Sequence, residues 1–217
     1  MKRHTTVFLK FAIVLGIVAT ATPALAGPPL LCHPYDIGSA RSLPWNDAAG
    51  WTGTRADYTL GNLVADTDAL LTPSTPVVVR METLRRAAIY ASMDAAVAKQ
   101  LVTRLNARVD AAEATGHPDA LALLDAAYVT GALHQISVLN GEFASRAPGV
   151  RAAIGNSDGY ALIARSIAAK PNDAGLQFAA ALIASDKNRG QYLEHASKAR
   201  AGAPGDALLT KNLDHVQ

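Results

Sequence analysis

Apolar residues recur every three or four positions over most of the chain, and clusters of Gly, Pro, Asn and Asp interrupt them at intervals. That is the period of a helix with one buried face. The spacing predicts a first helix over Asp57–Leu71, stopped by "TPSTP". A second follows Pro76, with Thr75 as its cap and Met81, Leu84, Ala88 and Ala91 on one face. Its opening "VVVRM" has strand propensity, but the helical continuation through "ETLRRAAIYAS" outweighs it. A third starts near Asp94, carries Val97, Leu101, Leu105 and Val109 four apart, and ends at Gly116. Pro118 opens a fourth, with Leu121, Leu124, Tyr128 and Gly131 inward and Gly141 past its end. The stretch "RAPGVRAAIGNSDG" reads as a loop with at most one helical turn.

A fifth helix is capped by Asn156, Ser157 or Asp158, shares a face among Tyr160, Ile163 and Ile167, and stops at Pro171. Asn172 or Asp173 caps "AGLQFAAALIAS", "DKNRG" is a turn, and "QYLEHASKAR" runs to Gly202 and Pro204. A short helix, "DALLTKNLDH", closes the sequence. Seven or eight helices with short loops predict an all-α fold of stacked antiparallel hairpins.

The C-terminal part repeats itself. "IAAKPNDAGLQFAAALIAS" aligns with "ASKARAGAPGDALLTKNL", placing Pro171 over Pro204 and Asp173 over Asp206 at a spacing of 33. Ala179–Ala181, Ala196 and Ala199 supply the small residues that closely crossing helices need. A helix ending in a proline turn, an acidic cap and a helix with small contact residues resembles the tetratricopeptide repeat over residues 156–213. The family's tryptophan and Leu-Gly pair are replaced by Gln177 and Ala180-Ala181. The resemblance implies an α-solenoid of hairpins, each needing a neighbour to bury its faces.

The first 26 residues read differently. A basic start at Lys2, Arg3 and Lys10, an apolar run from Phe11 to Ala19 and the small-x-small Ala24-Leu25-Ala26 make a signal peptide cut after Ala26. Leu31 before Cys32 argues against lipidation, so no membrane anchor is expected after cleavage, and the expected location is periplasmic or secreted. The formal charge of +2 includes those three cations. Removing them from 20 basic residues leaves 17 against 18 acidic ones, close to −1, which offers nothing for nucleic acid. About 191 mature residues suffice for one helical domain, over 56–217. One cysteine closes no internal disulfide, so packing alone must hold the fold.

Residues 27–55 carry prolines, glycines and both tryptophans without helical period, and are expected as an extended segment packed on the helices. Candidate chemistry concentrates there. Cys32 and His33 are donors that suit zinc, copper or haem, though adjacent residues of an extended chain point apart and need further ligands. No metal or cofactor motif completes them, so none is assigned, and no catalytic residue is assigned. Asp36 lies three residues from His33, a spacing that suits orientation of an imidazole. Tyr35, Trp45, Trp51 and Tyr58 fall within 24 residues, either pinning the segment or presenting a binding surface. His117, His134, His195 and His215 read as core or surface histidines, with His134 and Glu142 on one face if the helix runs that far. Arg85-Arg86 and "SDKNR" read as solvated charge.

The expected function is an exported, non-enzymatic helical-repeat module that binds a protein or peptide, with Cys32, His33, Tyr35, Asp36, Trp45 and Trp51 as its candidate functional segment. The alternative is a small metal-binding protein or enzyme using Cys32, His33 and Asp36. An exposed Cys32 would also permit a disulfide-linked homo-oligomer.

Overall fold

A computed structural model describes residues 27–185 and 188–217; the signal segment expected over 1–26 and part of the "DKNRG" turn lie outside them. The described residues are all-helical, with nine α-helices and no strand. In order they are α1 (Leu63–Leu70), α2 (Val77–Ala91), α3 (Ala95–Ala114), α4 (Ala120–Ile136), α5 (Ala147–Ile154), α6 (Gly159–Ala169), α7 (Ala174–Ala184), α8 (Arg189–Gly202) and α9 (Ala207–Lys211). Single 3₁₀ turns cover Asp47–Thr52, Leu60–Asn62, Gly141–Phe143 and Leu213–Val216.

The starts of six helices are set by short polar side chains. Asp94, Asp119, Asp158, Asp173, Asn188 and Asp206 each accept a first-turn backbone N–H of α3, α4, α6, α7, α8 and α9. Each such cap satisfies an otherwise orphaned donor, for about 1 kcal/mol. Several expected boundaries move, among them the start of α8, which takes in Arg189 and Gly190 from the expected turn. The first helix begins at Leu63 rather than Asp57, after the 3₁₀ turn. Asp119 rather than Pro118 starts α4. Pro76, not Thr75, sits at the cap position of α2, because the Thr75 hydroxyl donates to Leu70 O at 2.8 Å and closes the preceding loop instead.

The segment expected as a loop around Pro148 is the two-turn helix α5. Proline is tolerated in its first turn, and burial of Ala147, Val150 and Ile154 against α3 and α4 stabilises the rest.

Helices α2, α4 and α7 form the centre: α2 packs on α4, α4 on α6, and α7 on α8. The α4–α6 crossing is close enough to require glycine. A Cβ at Gly159 would stand 2.8 Å from Ala127 O and 3.2 Å from Gly131 N, both backbone atoms that cannot yield.

The centre also contains charge. Arg80 of α2 is fully buried and donates through Nε and Nη2 to the two oxygens of Asp125 on α4, at 2.8 and 2.7 Å. Its remaining hydrogens reach Thr72 O and Leu71 O, and Arg108 adds a third donor to Asp125 at 3.1 Å. Burial pushes the Asp125 carboxyl up, against the pull of both guanidiniums. Two charge-assisted bonds in fork geometry keep it a carboxylate.

Candidate functional site

Helix α2 holds residues 30–55 through a second buried charge group. Glu82 accepts from Arg85 at 2.7 and 2.8 Å, from Arg86 at 2.6 Å, and from the Tyr35 amide at 3.1 Å. Arg85 is fully buried, not solvated as the sequence implied, and its Nη1 donates to Leu31 O and Trp51 O. Arg86 donates to Leu43 O, and Tyr90 hydroxyl to Pro44 O. A loop lacking its own ladder must place its carbonyls somewhere. Here an arginine pair on a helix takes them, and both arginines share one glutamate three and four residues earlier.

The aromatic residues of this segment are spent on packing. Trp45 lies under Arg85 and Arg86, at 4.9 and 5.6 Å from its ring, and edge-on to Tyr90. Trp51 stacks on Phe143 at 5.2 Å. Tyr35 is buried among Tyr128, Phe178 and His215, stacked on the last at 4.8 Å.

Cys32, His33 and Asp36 do not converge. The Asp36 carboxylate takes the Gly38 amide at 2.8 Å and faces Lys211 at 3.6 Å. His33 faces His215 instead, edge to face at 6.1 Å. Burial pushes the Cys32 thiol up, opposed by Arg85, so it stays protonated and poorly nucleophilic at neutral pH. Among the described residues no group of three or more His, Cys, Asp or Glu side chains is arranged to hold a metal ion. His134 and Glu142 share no helix face either, because α4 ends at Ile136.

A concavity lies beside this segment, between α4, α6 and α7. It is a cleft of about 270 Å³ that includes Leu30, Gly131 and Ile183 as apolar walls and Thr130, His134 and Tyr160 as polar ones. Gly131 makes the cleft, since a Cβ there would sit 2.8 Å from Leu30 Cδ1. Val138, 66% exposed, stands at the rim. Leu30 is fixed on both sides: its amide donates to Gln135 Oε1 at 3.0 Å, and its carbonyl accepts from Tyr128 at 2.9 Å.

Behind Tyr160 runs an oriented relay. Gln177 Nε2 donates to Pro171 O at 3.0 Å, which turns Oε1 towards His195 Nδ1 at 2.7 Å. Nδ1 therefore carries the proton, and Nε2 accepts the Tyr160 hydroxyl at 3.0 Å. Burial pulls His195 down, keeping the ring neutral. The relay fixes the Tyr160 hydroxyl at the wall of the cleft. Nothing in the spacing of Tyr160, Gln177 and His195 marked these residues; they meet only because α6, α7 and α8 pack together. Gln177 does carry one signal, a polar side chain in a run that is otherwise wholly apolar.

No family model matches the sequence, and neither the curated proteins nor the solved structures compared with it give a match.

Proposed function

We propose that this is an exported, non-enzymatic module of tetratricopeptide-like hairpins that binds a peptide or protein segment at the cleft between α4, α6 and α7. The observation that carries this reading is the cleft itself: a preformed recess with apolar walls and a few fixed polar groups. The repeat reading is supported by Asp173 and Asp206, which cap α7 and α9 with the same bond to the backbone N–H three residues on. It is further supported by Ala179–Ala181, Ala196 and Ala199, all fully buried where α7 meets α8. The extended segment before α1 serves this module as a wall of the site, through Leu30, rather than as a site of its own.

The test is site-specific photocrosslinking in intact cells. A crosslinker replacing exposed His134 at the cleft should give a discrete protein or peptide adduct. The same group replacing Lys99 on α3 should not. Gly131→Leu, which fills the recess, should abolish the adduct while the helical circular dichroism is retained. Adducts of equal yield from both positions, or none from either, would remove the cleft from the function. N-terminal sequencing of the exported chain should return Gly27 as its first residue.

A further inference from the structure

The C-terminal strap, residues 207–217, closes over the segment that carries His33. Hydrogen bonds and one ion pair hold it: the Asp36 amide donates to Asn212 Oδ1 and Asn212 Nδ2 returns to Asp36 O, each at 2.9 Å, and Lys211 faces the Asp36 carboxylate at 3.6 Å. Tyr192 donates to Gln217 O at 2.7 Å, and Arg200 donates to Val216 O. Val216 and Leu209 are fully buried beneath. In the middle of this contact His33 and His215 meet edge to face, and His33 Nε2 and His215 Nδ1 are both buried with no hydrogen-bond partner. Two orphaned imidazole nitrogens in one contact call for an explanation.

We propose that the strap is an acid-released latch, in which protonation of the facing His33 and His215 lifts residues 207–217 and uncovers Tyr35 and Phe178. A proton on His215 creates a cation stacked on Tyr35 and edge-on to Phe178, with no acceptor at Nδ1. A second on His33 adds a like charge across 6.1 Å. The acids near by are already committed. Glu82 of α2 is bound by Arg85, Arg86 and the Tyr35 amide; Asp36 by the Gly38 amide and Lys211; Asp214 by Gln217 Nε2 at 2.6 Å. Helix α7 brings no charged residue to the contact, α8 brings Arg200 and Tyr192, and α9 brings Lys211; Asp214 and Glu82 favour a charged His215, but burial, His33 and Arg85 oppose it.

Burial, and next the charge of His33, push His215 down to about 4. A histidine whose closed-state value lies below the ordinary value near 6.5 favours the open state as protons bind. Its contribution to closure is therefore complete above about pH 6.5 and is lost as the pH falls towards 4. At neutral pH the His215 ring packs as aromatic surface and the latch stays shut.

Hydrogen exchange on the mature chain, corrected for intrinsic rates and read at about pH 7.5 and about pH 4.5, tests this. Protection of residues 207–217 should fall by roughly fiftyfold between the two, while α7 keeps its protection. His215→Phe keeps the stacked ring but cannot charge, and should hold the strap closed at both values. His33→Phe removes only the like charge and should move the opening midpoint to lower pH. Unchanged protection in the wild type, loss shared equally by α7, or a His215→Phe strap that opens as readily would each overturn the latch. Should His215→Phe fail to fold, an unmoved midpoint in His33→Phe overturns it instead.

Discussion

Helices α2 and α7 both cross the centre of the molecule almost without contact with water, and they do so by opposite chemistry. Every residue of α7 from Gly175 to Ala184 is buried, and ten of its eleven residues are apolar or glycine. It buries itself by composition, and its alanines let α8 approach closely. Helix α2 buries Arg80, Glu82 and Arg85 as completely as Met81 and Leu84. It is buried by pairing, each charge answered by a partner of fixed geometry. The two routes fail differently. Removing one atom group from a paired set leaves a stranded charge, whereas α7 fails by loss of fit.

Breaking the paired helix has the largest expected effect. Asp125→Ala strands Arg80 in the core and should cost about 3–5 kcal/mol in urea unfolding, while Arg80→Met with Asp125→Leu should restore stability to within about 1 kcal/mol. A single replacement as mild as the double one would show that water reaches the pair. The packed helix comes next: Ala180→Leu forces α7 away from its neighbours, for a loss of about 1–3 kcal/mol by the same measurement. Asp173→Ala removes the cap of α7 and should cost about 1 kcal/mol, without changing the unfolding cooperativity. The smallest effect sharpens the contrast from outside. Arg104 pairs with Asp68 on the surface at 2.5 Å, and Arg104→Ala should leave the thermal midpoint within error, because an exposed pair exchanges water for protein at little gain.

How far the sequence was legible follows the same division. The stripe of α3 and the acidic caps of α3, α6, α7 and α9 are local signals, and those helices start where the signals place them. Helix α5 was not legible, because eight residues around a proline make a helix only when the core receives Val150 and Ile154. Arg85 and Arg86 looked solvated because a charge reads as exposed unless its partners are known. Glu82 was three and four residues away, a common surface spacing, and the Leu31, Leu43 and Trp51 carbonyls were 54, 43 and 34 residues distant. The candidate segment was located by its odd composition, but not what its residues do. Trp45 and Trp51 pin, Asp36 turns towards Lys211, and His33 finds His215 from the far end of the chain.

The sequence by itself determined the helical class and the starts of α3, α6, α7 and α9, since period, caps and breakers act within a few residues along the chain. It also pointed to α7 as a helix of small and apolar residues. Tertiary structure alone decided which charges go inside, where the cleft opens, and that the two ends of the described chain meet. Those outcomes depend on groups brought together from 34 to 182 residues apart, at distances no local pattern encodes.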